Sequence, residues 1–174
     1  KDQSQWEEAI EAVNVDTTTE PGVVMLAKSG DRYVASGHIT VRFSRDDVPN
    51  FQRWDRIRWA SDNAAPVRTT MQYRYGDDPN SMGDWSAEVE GALPDEIGVV
   101  PGTTDAALID VRINLYTEDR EAEDANGNPV GVTPYVFAVE MVARTTGALM
   151  AGDIPAVAGV KVSGLEADGV SAFN

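Results

Sequence analysis

Apolar and polar residues alternate with a period of two along much of the chain, the pattern of strands with one buried face. Ile39, Val41 and Phe43 alternate with His38, Thr40 and Arg42. Asp55, Ile57 and Trp59 alternate with Trp54, Arg56 and Arg58. Val67, Thr69, Met71, Tyr73 and Tyr75 alternate with Arg68, Thr70, Gln72 and Arg74. Downstream, Ile109, Val111, Ile113 and Leu115 alternate with Asp110, Arg112 and Asn114, and Tyr135, Phe137, Val139 and Met141 with Val136, Ala138 and Glu140. A short apolar run, Val23–Ala27, leads into a Ser29-Gly30-Asp31 turn. Further turn signals stand at Asp46–Asn50, Gly76–Asn80, Pro101-Gly102 and Asn126–Pro129. Only the start departs from this period. Ser4-Gln5-Trp6-Glu7 has capping-box spacing, and Trp6, Ile10 and Val13 fall on one helical face, which predicts a short helix over residues 4–13.

Several strands with one polar face each, and no helix-length periodic segment between them, predict an all-β fold: an antiparallel β-sandwich or jelly roll. The sandwich domain is expected over residues 1–146. From Gly147 the pattern changes to a Gly/Ala/Val-rich stretch with few charges, glycines standing at 147, 152, 159, 164 and 169. Residues 147–174 are expected to form either a final hairpin, with Val157–Val162 as a strand, or an extended arm laid on a neighbouring subunit. The expected partner contacts are Val157, Val160, Val162 and Phe173.

Composition narrows the chemistry. The 174 residues carry 29 acids against 14 bases, one histidine and no cysteine. Absence of cysteine excludes disulfides, thiol nucleophiles and zinc-thiolate sites, and a single imidazole excludes a histidine metal triad. A net charge of −15 repels phosphate backbones and anionic lipids, which argues against nucleic-acid and membrane-surface partners. No apolar run reaches the roughly 18 residues of a membrane span, and no apolar targeting segment stands near Lys1. Eleven of the bases are Arg, and because ten of the 14 bases fall in residues 1–87, the net negative charge concentrates in the second half. Such an acidic, Lys-poor surface suits raised ionic strength.

No motif completes a catalytic or metal site. His38 lies in an alternating strand, and the G-x-S-x-G elbow of a serine hydrolase is missing. Among the many carboxylates Glu140 falls inside the apolar run Tyr135–Val142, on the expected outer face of its strand. Asp124, Asn126 and Asn128 have the first three spacings of a calcium loop, but Pro129 stands at position 6 and Tyr135 at position 12, so the loop test fails. Phosphate-binding glycine motifs are also absent. No cofactor is therefore expected, and the chain is read as a non-enzyme. Arg53, Arg56, Arg58, Arg68 and Arg74 suggest a basic stripe, or cross-strand ion pairs with Asp55, Asp77 and Asp78. Trp59, Tyr73 and Tyr75 share the core phase. Trp54 has the opposite phase and Trp85 follows a loop, so these two are the candidate ligand-stacking residues.

One ordered series of motifs has a wider likeness. The apolar strand Gly22–Ala27 is followed by Tyr33-Val34-Ala35-Ser36-Gly37-His38-Ile39, then the Trp-containing strand Trp54–Trp59 and Thr69–Tyr75. A loop ending in Asp84-Trp85-Ser86, the strand Ile109–Leu115 and Val132-Thr133-Pro134-Tyr135-Val136 complete it. Over about residues 20–143 this resembles the galactose-binding-like (discoidin-like) jelly-roll modules of phage tail and fibre proteins and of bacterial surface proteins. The resemblance implies a non-catalytic adhesive or scaffolding module and supplies no ligand residues. The expected role is a structural module of a virion (tail, fibre, spike or head-decoration component) that contacts other virion proteins and copies of itself. The alternative is an extracellular carbohydrate-binding module whose partner is a surface glycan.

Overall fold

The computed structural model describes residues 6, 8–62, 65–90, 105–120 and 131–146, together with the backbone of three short strands between 160 and 171. The strands are β1 (Glu11–Val13), β2 (Val15–Asp16), β3 (Met25–Leu26), β4 (Lys28–Ser29), β5 (Arg32–Tyr33), β6 (Ser36–Ser44) and β7 (Phe51–Ser61). They continue as β8 (Val67–Gly76), β9 (Val89–Glu90), β10 (Leu108–Thr117), β11 (Val136–Thr145), β12 (Val160–Val162), β13 (Glu166–Ala167) and β14 (Val170–Ser171).

The predicted antiparallel sandwich is what the chain forms. One sheet runs β1-β6-β10-β8-β9, antiparallel at every step. The second is centred on β11, which pairs antiparallel with β7 on one edge and parallel with β12 and β13 on the other. The chain crosses from the first sheet to the second between β6 and β7, returns at β8, and crosses again between β10 and β11. The strands β1-β6-β10-β8 thus face β7-β11 across the core. Ile39, Val41 and Phe43 of β6, Met71 of β8 and Ile109, Val111, Ile113 and Leu115 of β10 meet Trp54, Ile57 and Trp59 of β7 and Val139 and Met141 of β11 in one core. The Phe43 and Trp54 rings touch edge-on across the sheets, 6.5 Å between centroids.

Bulges correct the simple alternation in the second sheet. Val142 pairs with Arg56 but Ala143 with Trp54, so Asp55 is an extra residue in β7. The extra residue reverses the phase, and Trp54 turns inward, fully buried, with its indole N–H donating to the Ala106 carbonyl at 2.9 Å. Phe137 is likewise inserted between Val136 and Ala138, which buries Val136 and leaves Phe137 exposed, the reverse of the expected phase. Tyr75 also departs from the core, because it lies at the end of β8 beyond the cover of the facing sheet, and is 45% exposed.

The expected helix over 4–13 does not reach beyond residue 10. Glu11–Val13 pair with Thr40–His38, and the Ile10 amide already donates to the Thr40 carbonyl. The edge of β6 offers unpaired backbone groups, and satisfying them outweighs a marginal local helix. Of the supposed apolar helical face only Trp6 is buried, while Ile10 and Val13 are exposed. After β1 the chain turns at Asn14 in the left-handed region (φ 55°), a conformation asparagine tolerates. It then passes so close to Gly37 that a Cβ there would lie 2.5 Å from the Asn14 carbonyl oxygen.

Candidate interaction face

The outer face of the five-stranded sheet is a cross-linked polar surface. Strand alternation puts Arg42, Asp110 and Arg74 on this face, and register makes them direct neighbours across β6, β10 and β8. Arg42 donates through Nε to Asp110 Oδ1 at 2.6 Å and through Nη2 to Oδ2 at 2.9 Å. Arg74 Nε donates to Oδ2 at 3.0 Å. The carboxylate itself is fully buried beneath the two guanidinium groups. Its hydrogen bonds and charge hold Arg42 above the ordinary arginine pKa, against the opposing effect of burial.

Two residues along, Arg112 links strands that are far apart in the chain. Its Nη2 donates to Glu11 of β1 at 2.7 Å and its Nε to Thr40 Oγ1 at 3.2 Å. His38 Nε2 lies 3.3 Å from the same Glu11 carboxylate. Burial pushes the Glu11 pKa up, but the Arg112 hydrogen bond and charge, the His38 charge and the Thr40 hydroxyl together leave it below the usual carboxylate value. Farther along, Asn114 donates to Thr70 and Gln72, and both Thr70 and Tyr116 donate to Glu88. Burial, then the Glu88 contact, raises the Tyr116 pKa. Arg68 pairs with Glu90 at 2.9 Å and stacks on the Tyr116 ring at 4.4 Å.

Trp85 completes the face. The loop after β8 returns along the strand edge, with the Gly83 amide on the Tyr75 carbonyl and the Ser86 amide on the Tyr73 carbonyl. This carries Trp85 onto the sheet, where the guanidinium carbons of Arg74 and Arg112 lie 4.5 and 4.2 Å from its ring centroid. Four arginines (42, 68, 74, 112) thus pair with three carboxylates (Glu11, Glu90, Asp110) on the face that holds Trp85, and hydroxyls answer a fourth, Glu88. His38 of the alternating strand β6 lies at the edge of this network, 3.3 Å from Glu11. The network itself was not foreseen, because its links join β1, β6, β8 and β10, and no local spacing marks them.

The other expectations fall as follows. Trp54 is corrected from a stacking candidate to a core residue. The basic stripe does not form: β7 and β8 lie in different sheets, and Arg53 and Arg144 instead approach Asp55 at 3.8 and 3.9 Å. Glu140 sits half-buried opposite Arg58, on the outer side of its strand. Asp124, Asn126, Asn128, Val157 and Phe173 lie outside the described residues. Val160 and Val162 lie in β12, whose backbone pairs with β11 of the same chain. Among the described residues no group of three or more His, Asp or Glu is placed to hold a metal ion. No described helix is long and apolar enough to cross a membrane.

Two of the clefts among the described residues flank the sheets. The larger, about 580 Å³, is lined by Asp16–Thr19, Met25–Lys28 and Tyr33, and its Asp16 carboxylate is already engaged. The Thr18 and Thr19 amides and hydroxyls donate to Asp16, and Lys28 Nζ sits 5.0 Å from the Tyr33 ring centroid. The smaller, about 310 Å³, is lined by Tyr73, Tyr75, Gly83, Asp84 and Ser86. Sequence alternation had assigned its two tyrosines to the core. No protein-family model matches the chain, and no curated protein matches it in sequence.

Proposed function

We propose that the chain is a non-catalytic structural module that works through protein–protein contacts in a larger assembly, of the kind that builds a virion tail, fibre, spike or head decoration. The observation that carries this reading is the outer sheet face. Its carboxylates are committed to arginine or hydroxyl donors, so among the described residues of this face no acid–base pair stands free for hydrolysis. What remains is a braced surface of arginines around Trp85, residue types enriched at protein contacts. The ordered resemblance to adhesive phage and surface modules points the same way. Residues 147–174 are the second proposed contact region; an assembly unchanged by their removal would exclude it.

Sedimentation of the full chain over a wide concentration range, alone and with Trp85→Ala or Arg112→Glu, tests the face. Concentration-dependent association weakened by both substitutions is expected. A chain that stays monomeric throughout, or that associates equally well in both variants, overturns the proposed self-contact. The second reading, a carbohydrate-binding module, loses Trp54 to the core and is supported only by the tyrosine-and-carboxylate lining of the smaller cleft.

A further inference from the structure

We infer that the cleft between Tyr75 and Asp84 is a receptor for an arginine side chain presented by a partner protein. The inference rests on the protein-contact reading and names what one of those contacts recognises. On the first sheet two half-exposed rings already carry arginines of this chain, Arg68 on Tyr116 and Arg74 with Arg112 on Trp85. Tyr75, 45% exposed, has no such cation among the described residues. Asp84 beside it forms no ion pair there either, whereas the other carboxylates at aromatic positions on the sheet are answered by arginine or hydroxyl donors.

The loop geometry prepares the site. Gly83 and Ser86 are pinned to the Tyr75 and Tyr73 carbonyls, and the Ser86 hydroxyl also accepts the Tyr73 amide at 3.0 Å. Between these anchors Trp85 turns to the Arg74 side, and Asp84 lines the cleft with Tyr73 and Tyr75. The backbone that carries Asp84 is therefore held beside β8, and Tyr75 and Asp84 line one cleft. A guanidinium plane stacks on a tyrosine face while its N–H edge donates to a carboxylate, a geometry that ammonium matches less well. A net charge of −15 draws cationic segments toward the molecule and repels acidic ones.

The test is a titration of the isotope-labelled full chain, followed by NMR, with N-acetyl-arginine methylamide. The lysine and glutamate analogues and methyl glucoside serve as comparison arms. Saturable shifts centred on Tyr75, Asp84 and Gly83 are expected with arginine, weaker ones with lysine, and none with glutamate. Tyr75→Ala and Asp84→Asn should each weaken arginine binding about fivefold, and Tyr75→Phe less than about twofold, with the spectra otherwise native. Salt should weaken it further. Shifts with methyl glucoside but not arginine would overturn the inference in favour of a sugar. Arginine shifts elsewhere on the surface, or insensitivity to Asp84→Asn, would also overturn it. None of these outcomes bears on whether the outer face self-associates, which the sedimentation experiment decides separately.

Discussion

Removing the Asp110 carboxylate should destabilise the fold far more than loss of an ordinary surface ion pair. Asp110 is fully buried, and it joins the three long strands of the first sheet through Arg42 and Arg74. With Asp110→Ala two guanidinium groups are left side by side over an apolar alanine. Breaking a wholly buried charge pair costs about 3–5 kcal/mol, whereas an exposed pair is worth about 0–1. The Arg42 and Arg74 side chains are 22% and 28% exposed, so water recovers part of the loss. We therefore expect about 2–3 kcal/mol for Asp110→Ala, and about 1–2 for Asp110→Asn, which keeps one acceptor oxygen. With a urea slope of about 2 kcal/mol per molar, the alanine variant should unfold at roughly 1–1.5 M less urea than wild type. High salt should restore part of the difference, because what remains is repulsion between the two arginines. Adding Arg42→Ala to Asp110→Ala should cost less than the separate effects predict, by at least about 1 kcal/mol. A loss under about 0.5 kcal/mol, unaffected by salt, would mean that the three residues behave as a surface pair and would refute the reasoning.

Other substitutions probe the remaining features. The Asp16 carboxyl is held at about 2, chiefly by the Thr19 hydroxyl and the Thr18 amide acting against burial. Its folded pKa is depressed, so its stabilisation is complete above about pH 4 and is lost toward pH 2; relative to Asp16→Asn, wild type should lose about 1 kcal/mol over that window in pH-dependent urea unfolding, after allowance for solvent screening. A side chain at Gly37 would meet backbone oxygens of Asn14 and Val13 at 2.5 and 2.7 Å, so Gly37→Ala should cost about 1–3 kcal/mol, read as a lower Tm and faster amide exchange in β1. Trp54→Ala should cost about 3–5 kcal/mol in the same unfolding assay; a near-neutral result would contradict its placement in the core.

The legible part of the fold lay where one residue follows another without insertion. In β6 and β10 the alternation read from sequence holds to the end of each strand, and the inner residues Ile39, Val41, Phe43, Ile109, Val111, Ile113 and Leu115 are all buried. It failed at Asp55 and Phe137, where a single extra residue reverses the phase of what precedes it, and nothing local in either segment announces a bulge. The amino terminus failed for another reason: capping-box spacing is a local signal, while β1 is held by β6, a partner that a local window cannot see. The candidate site was legible only in its parts. Alternation placed Arg42, Arg74, Asp110 and Arg112 on polar phases, but their union depends on strand order. Trp85 stood out because its loop has no periodicity, and its two cation partners were equally hidden.

Strand order also changes what the acidity means. A chain at −15 repels its own copies, yet the face around Trp85 sets four arginines against four carboxylates and carries no formal excess charge. The excess therefore lies elsewhere, and at physiological salt, with a screening length of about 8 Å, it acts only weakly across a contact made on this face. A partner docking here buries charges that are already paired, which avoids the cost of stripping water from single ions. The Tyr75 cleft at the edge of the same sheet is different, because the carboxylate of Asp84 has no cation among the described residues. Salt should accordingly act in opposite directions on the two contacts. Added NaCl should relieve repulsion between copies and favour association through the outer face, while it weakens arginine binding in the cleft. A single mode of contact through either surface would show only one of these responses.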